Sequence, residues 1–469
     1  LFRCLRMIAA ALLIGSVPCQ AYLAAPAGAQ PPDPVPGQDV SGSVPSVPQI
    51  LAGVQEWIDS VVPRPSLSPA QDSPLVDAGG LTDDVAALRS ASMPAPIGDA
   101  FIDDWPSNLE DYGAGQIISS RDVTAASGVL LVPVRSVVQL KYRTNDSHDA
   151  ASYAIASLIL PQGEWTGPGE RPVLVNNLPI NALGRDCNPS YGLTHGFTSK
   201  TNIADYIPPT TQLALLRGYA VLITDHEGPR MAYAEPYVAG HAVLDGMRAV
   251  RNGFPDELGD SRFAMVGYSG GAIATKGAVK LMAEYAPELT SVVVGAALGG
   301  VPADFEILSR SMNANLASGV LMAAIFAIGR ERPEILGAMN HLAQWAATSA
   351  LKDTCTGTFG LTGVLMLPVD IAADIPDPLH SSLAQDIYRI TRMADKKSAV
   401  PLYIYNGEQE FWIPAEGARA LYQEQCALGV PAVYRSVAGE HIVAAFTGYP
   451  ESLNWLDARM RGEPAPNEC

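Results

Sequence analysis

Apolar and polar residues alternate over 132–143 and again over 152–160, the period-two pattern of strands with one covered face. Together the two runs predict an antiparallel entry into a sheet. Four later runs, 173–175, 220–224, 264–266 and 292–296, are short and apolar throughout. Strands covered on both faces read this way, as in a parallel sheet. Between them the apolar spacing lengthens to the helical period over 238–251 and 271–286, the latter ended by Pro287. From residue 99 onward the chain predicts an α/β fold, a mostly parallel central sheet flanked by helices. After Leu298 the rhythm breaks. Residues 304–352 are largely helical and apolar and a core strand returns only at 401–406, so a helical cap is expected over about 300–400.

Inside that insertion, residues 311–329 carry no charge and hold the apolar run 320–328. Asn313, Asn315 and Ser318 interrupt the stretch, and its contiguous apolar part is too short to span a bilayer. The expectation is a cap helix lining an acyl pocket; a plain core helix is the competing reading.

The N-terminal region reads differently. Arg3 and Arg6 precede the apolar run 7–17, and Ala27-Gly28-Ala29 supplies a small-x-small cleavage site, so residues 1–29 read as an export signal. Residues 30–97, rich in proline among Gly, Ser, Asp and Val, read as a flexible extension or wall-spanning linker. Residues 98–469 are left as the catalytic domain. The formal net charge of -18 argues against nucleic acid and against anionic membrane surfaces, and favours a soluble, self-repelling monomer. Removing the leader removes Cys4 and Cys19 and leaves Cys187, Cys355, Cys426 and Cys469. An even number in an exported chain implies two disulfides, for which three pairings exist. The sequence does not choose among them.

Chemistry concentrates in Phe263-Ala264-Met265-Val266-Gly267-Tyr268-Ser269-Gly270-Gly271-Ala272. A buried strand turns sharply, at a serine, into a helix of small residues, as in a nucleophile elbow. Gly-x-Ser-x-Gly alone is weak in a chain with 42 glycines; the flanking strand and helix give it weight. Ser269 would be the nucleophile, and the N–H of Gly270 at the helix start would face the developing oxyanion. In this fold the acid and then the histidine follow the serine. Of the seven histidines only His441 follows the last core strands, in the Gly-containing loop after 432–437. The acid belongs in the turn 406–414, where Glu408 and Glu410 compete. Glu410 precedes Phe411-Trp412-Ile413 and is the better placed for burial against the imidazole. The run Asp225-His226-Glu227-Gly228 has the residue types of a metal site, but neighbours on a strand point to opposite faces and no second histidine stands at ligand spacing. A structural role is expected there, with no metal and no cofactor.

From about Asp99 to its end the chain resembles the secretory lipases of the Candida antarctica lipase A type. Asp186-Cys187-Asn188-Pro189-Ser190-Tyr191 is similar to that family's Asp-Cys-Ala-Pro-Ser-Tyr, and Thr224-Asp225-His226-Glu227-Gly228 to its Ser-Asp-His-Glu-Gly. Leu244-Asp245-Gly246-Met247-Arg248-Ala249, the elbow, Glu424-Gln425-Cys426-Ala427 and Glu440-His441 follow in the family's order. The resemblance implies an α/β-hydrolase that cleaves carboxylic esters, most of all acylglycerols, through an acyl-enzyme. It implies Glu410 as the acid, where the family has aspartate, and the backbone N–H of Asn181 as the second oxyanion donor, again at an aspartate position. It also implies a disulfide from Cys187 to Cys355, leaving Cys426 with Cys469. A lipid or ester substrate at a lipid–water interface, secretion and cell-wall association belong to this reading. A short-chain carboxylesterase, an acyltransferase, a serine peptidase of the same fold and an inactive hydrolase-fold binding protein are its rivals.

Overall fold

The continuous apolar runs become the centre of one sheet, and the alternating runs become its antiparallel flank. In a computed structural model, which describes residues 47–198, 206 and 208–469, nine strands hydrogen-bond in the order β1-β2-β3-β5-β4-β6-β7-β8-β9. They are β1 Ile117–Asp122, β2 Val134–Asn145, β3 Ala151–Pro161, β4 Val173–Asn177, β5 Ala220–Thr224, β6 Phe263–Tyr268, β7 Val293–Gly299, β8 Leu402–Gly407 and β9 Ala432–Val437. Pairings from β1 through β3 to β5 are antiparallel, and those from β5 through β4 to β9 are parallel. The register aligns Val175 with Met265 and Met265 with Ala296.

Alternation along each strand sends neighbouring residues to opposite layers. Met265, Val173 and Val175 pack with Val243, Met247, Ala278 and Met282 from the helices Pro236–Gly253 and Gly270–Tyr285. Val266, Ala297 and Tyr403 pack on the other face with Tyr449, Leu453 and Leu456 of the helix His441–Met460. Each such fully buried Val, Leu or Met side chain contributes on the order of 1.5–3 kcal/mol. Because β6, β7, β8 and β9 run parallel, the loops after them gather at one end of the sheet, where ligands of such sheets bind.

Between β7 and β8 the chain leaves the sheet to build the cap from the helices Phe305–Met312, Ser318–Glu331, His341–Thr348, Thr356–Thr362 and Ser382–Arg392. The cap has its own apolar cluster, which includes Ala327, Ile328, Leu336, Ala343 and Phe359. No helix among the described residues is long and apolar enough to cross a membrane. The cysteines pair as Cys187–Cys355 and Cys426–Cys469, with Cα atoms 5.5 Å and 5.4 Å apart.

One expectation needs correction. The leader and residues 30–46 lie outside the described residues, but from residue 47 the supposed flexible extension is built into the fold. It forms the helices Val47–Val61 and Asp83–Ser92 and lies against the cap. Gln55 Nε2 donates to the carbonyl of Asp370 (2.6 Å), and Trp345 Nε1 donates to that of Pro63 (2.8 Å). Buried Arg89 donates to the carbonyl of Arg330 (3.0 Å), and Arg330 Nε returns a bond to that of Ser92 (2.9 Å). Arg230 takes the carbonyls of Pro74 (3.0 Å) and Leu75 (2.8 Å). A Pro-rich segment has no ladder of its own. Here its carbonyls are ordered by cations belonging to the rest of the chain.

Candidate active site

Strand β6 ends at Tyr268, and the next residue, Ser269, has φ 54° and ψ -122° before the helix Gly270–Tyr285 begins. Such a conformation costs a non-glycine residue on the order of 1–3 kcal/mol and persists only where its surroundings over-determine it. They do so here. Ser269 N–H donates to the carbonyl of Gly299 (2.9 Å), while its own carbonyl accepts from Ala272 N (2.9 Å) and Ile273 N (3.2 Å). The flanking glycines are required by contact: a Cβ on Gly267 would stand 2.1 Å from the carbonyl oxygen of Gly271, and one on Gly271 would stand 1.9 Å from that of Asn177. The turn thus closes too tightly for a side chain at 267 or 271. Gly270 is the first helical residue, so its N–H has no partner within the helix.

His441 and Glu410 come to this serine from the ends of β9 and β8. Ser269 Oγ lies 3.0 Å from His441 Nε2, and His441 Nδ1 lies 2.7 Å from Glu410 Oε2. The other carboxylate oxygen, Oε1, accepts the N–H groups of Trp412 (2.9 Å) and Ile413 (3.1 Å). The Glu410 side chain is fully buried. Burial alone would raise its pKa, but the hydrogen bond and charge of His441 and the two backbone donors outweigh it and hold the carboxyl below its ordinary value. An ionised carboxylate only accepts, so Nδ1 carries the imidazole proton and Nε2 is left to accept from the serine hydroxyl. Glu408 is exposed and is not brought to the imidazole; its N–H pairs with the carbonyl of Val437 (2.8 Å). His441 does not sit in the loop expected for it but is the first residue of the helix His441–Met460, because the carboxylate of Glu440 caps that helix at Ile442 N (2.9 Å) and Val443 N (3.1 Å).

The loop after β4 brings Asn181, at φ 47°, against Gly270. Two neighbours hold that loop. From the cap, Thr356 Oγ1 donates to the carbonyls of Asn181 (2.6 Å) and Ile180 (3.0 Å), and Leu183 N–H donates to the carbonyl of Thr354 (3.0 Å), beside the Cys187–Cys355 bridge. From the end of β5, residues 225–227 diverge to two points of it and to the helix Pro189–His195 that follows. Asp225 accepts Ser190 N–H (3.1 Å), His226 Nε2 meets the carbonyl of Leu178 (2.9 Å) and Glu227 takes Ala182 N–H (3.3 Å). Burial pushes Asp225 up to about 7 and His226 down to about 4, so the histidine is neutral and donates. These residues hold the loop that carries Asn181.

Ser269, His441 and Asn181 line one cavity of about 460 Å³. Its walls are apolar and come mostly from the cap: Leu308 and Met312 from the first cap helix, Leu321, Ile325 and Phe326 from the uncharged stretch of the second, and Ile387 from the last. Sequence reasoning missed Thr356 and Trp412. Trp412 places its ring centroid 6.2 Å from that of His441. Thr356 belongs to no motif and gains its place only when the cap folds back, whereas Trp412 is placed by the turn that carries Glu410.

The secretory lipase family model matches residues 198–468. Lipase 10 of Candida albicans is 28% identical over 76% of this chain and 79% of its own length. A probable inactive lipase of Mycobacterium tuberculosis is 27% identical over 76% of this chain and 81% of its own. Among solved structures, that of Candida antarctica lipase A superposes with a TM-score of 0.71 at 26% identity, covering 81% of this chain and 89% of the other.

Proposed function

Because this chain belongs to the secretory lipase family and has an α/β-hydrolase fold, we propose that it is a secreted serine hydrolase of carboxylic esters, acting by preference on acylglycerols. The observation that carries the proposal is the unbroken relay from Ser269 Oγ to His441 Nε2 (3.0 Å) and from Nδ1 to Glu410 Oε2 (2.7 Å) at an apolar cavity. In this reading Ser269 Oγ attacks the ester carbonyl while His441 Nε2 takes its proton. The oxyanion is held by the N–H groups of Gly270 and Asn181. Collapse expels the alcohol, which leaves with the proton from His441, and the acyl group stays on Ser269. Water then attacks with His441 again as base, and the carboxylic acid departs. Throughout, Glu410 stays ionised, fixes the imidazole tautomer and stabilises its cation.

A water-insoluble substrate is favoured over a small soluble ester by two features. The cavity wall is largely apolar along three cap helices. The rim is also apolar, since Ile442 and Phe446 line the cavity and are exposed. Elsewhere Phe411 and the cap residues Leu361, Val364, Leu365 and Met366 are exposed as well. Ser311 Oγ donates to the carbonyl of Phe411 (2.9 Å), and Asn313 Oδ1 accepts the N–H of Val369 (2.8 Å). Residues 354–369 carry no charge, which suits contact with neutral lipid.

The inactive relative names the rival reading. Labelling by a fluorophosphonate, with hydrolysis of p-nitrophenyl esters of rising chain length, decides between them. Wild type should label at Ser269 and prefer medium or long chains, while Ser269→Ala and His441→Ala should fold but lose turnover by several orders of magnitude, roughly 10³ or more. A folded wild type that neither labels nor hydrolyses would establish the inactive reading; a profile peaking at acetate would leave the serine mechanism and remove the lipase.

A further inference from the structure

The arm that lies against the cap reaches a wall of the cavity itself. Val369, Ala372, Ala373 and Ile375 line that cavity from a segment with little structure of its own beyond the short turn Val369–Ala372. Backbone without a ladder must find its partners elsewhere. The cap supplies some of them. Asn313 Oδ1 accepts Val369 N–H (2.8 Å), Asn340 Nδ2 donates to the carbonyl of Ile371 (2.7 Å), and Asp374 N–H donates to that of Ala338 (2.8 Å). The carbonyls of Asp370 and Ile375 are taken by the arm. Gln55, on the helix Val47–Val61, is buried, 8% exposed, and its Nε2 donates to Asp370 (2.6 Å) and to Ile375 (3.2 Å). An amide NH2 has two protons, so a single side chain joins both ends of the wall segment. One helical turn on, Asp59 Oδ1 accepts His341 N–H (2.8 Å) and fixes the same helix to the cap.

We propose that Gln55 is a positioning residue for acyl-chain selection: through it the arm holds the wall 369–375 in place, and with it part of the cavity that a long acyl chain occupies. The inference rests on the ester-hydrolase reading and adds to it a determinant that stands far from the triad in sequence. An acetyl group extends only about 1.5 Å beyond the reacting carbon, so what surrounds Ser269 holds it. A longer chain reaches walls built by the cap, and each methylene it buries there is worth up to about fourfold in kcat/KM. A wall that is already ordered gives that gain in full, whereas a loosened one must be ordered by the substrate.

The decisive variant is Gln55→Met, which keeps the length of the side chain and removes both donors. The readout is the ratio of kcat/KM on p-nitrophenyl decanoate to that on p-nitrophenyl acetate. In Gln55→Met it should fall about 4- to 16-fold below wild type, the loss of one or two buried methylenes. Gln55→Ala, which adds no apolar bulk, should show the same fall. Trp345→Phe frees the carbonyl of Pro63 in the same arm without touching 369–375, and its ratio should stay within about twofold of wild type. An arm that only braces the fold would lower the thermal unfolding midpoint in all three variants and leave the ratio unchanged. A ratio that falls by less than about twofold in either Gln55 variant overturns the proposal, as does an equal fall in Trp345→Phe. The hydrolase reading fails separately. A wild type that neither labels with a fluorophosphonate nor hydrolyses either ester overturns that reading and this proposal with it, while an active, labelled wild type whose ratio the Gln55 variants share overturns this proposal alone.

Discussion

Replacing Glu410 by glutamine removes a charge and keeps the shape, and the hydrogen bonds of the turn decide what happens next. Two backbone donors, Trp412 N at 2.9 Å and Ile413 N at 3.1 Å, converge on Oε1, while Oε2 faces His441 Nδ1 at 2.7 Å. A glutamine has one carbonyl oxygen. The backbone pair claims it, and the NH2 group is forced toward Nδ1. The imidazole must then accept at Nδ1 and carry its proton on Nε2, 3.0 Å from Ser269 Oγ, where it can no longer act as base. A triad locked in the wrong tautomer loses about 10⁴ in kcat, or about 5 kcal/mol of barrier. Glu410→Asp probes the same contact by distance. Losing one methylene withdraws the carboxylate by about 1.5 Å, past hydrogen-bond range from Nδ1. A displacement of that size costs about 10²-fold. Exposed Glu408, changed to glutamine, should cost nothing measurable. The assay is kcat on p-nitrophenyl butyrate, normalised to intact fold by thermal unfolding. If Glu410→Gln keeps more than about a tenth of wild-type turnover, or Glu408→Gln loses more than Glu410→Gln, the assignment of the acid is wrong.

Phe326→Asp puts a carboxylate on the cavity wall and should depress hydrolysis of long-chain esters far more than of acetate; equal losses across the series would mean that the helix acts on stability alone. The Cys187–Cys355 bridge spans 168 residues, for which loop entropy gives about 5 kcal/mol as an upper bound, so Cys187→Ser with Cys355→Ser should lower the unfolding midpoint markedly. Thiol titration of denatured, unreduced enzyme should read near zero. Lys276, under the cap, is bonded to the carbonyls of Ala303 (3.1 Å) and Thr391 (3.0 Å), and burial, reinforced by Lys280, depresses it from 10.5 to about 7. Below about 7 both native and unfolded chains hold this proton; from there to 10.5 the unfolded chain holds one more, so the lysine makes stability rise with pH in that window. Lys276→Met should remove that rise, seen as a stability difference from wild type that shifts between about pH 6 and about pH 9 against the variant; a pH-independent difference would refute the burial argument.

What the sequence disclosed and what it withheld follow from how local each constraint is. The elbow is legible because its glycines are local: Gly267 and Gly271 stand within two residues of Ser269, the first meeting backbone of the turn itself and the second that of the adjoining strand β4. The central strands announce themselves by being apolar on both faces, as β4 and β5 are buried at every position. Strand β1 escaped because Ile117-Ile118-Ser119-Ser120-Arg121-Asp122 is an edge strand with no fully buried residue, which leaves little pattern to read. The segment 47–97 was misread for a related reason. Its composition reports that it has no core of its own, but its order comes from Arg230, Arg330 and Trp345, far along the chain. Glu410 stands out from Glu408 in the sequence because three apolar residues follow it. The clip formed by Thr356 does not, since nothing in a threonine predicts which distant carbonyls it will meet. The residues left all three cysteine pairings open, and only the resemblance chose the pairing that the structure has.

That clip carries a thermodynamic consequence. Residues 354–356 belong to the cap, yet they hold Ile180, Asn181 and Leu183 through hydrogen bonds and hold Cys187 through a covalent bond. On the proposed reading, the cavity wall and the loop that carries Asn181 are therefore coupled through this clip, and linkage is reciprocal. Whatever free energy a firmly seated cap lends to binding at Ser269, an inhibitor that mimics the tetrahedral intermediate must return to the cap as resistance to opening. An acyl chain that packs well against the cap helices also braces the loop beside the reacting carbonyl, so chain length is felt in turnover as well as in affinity.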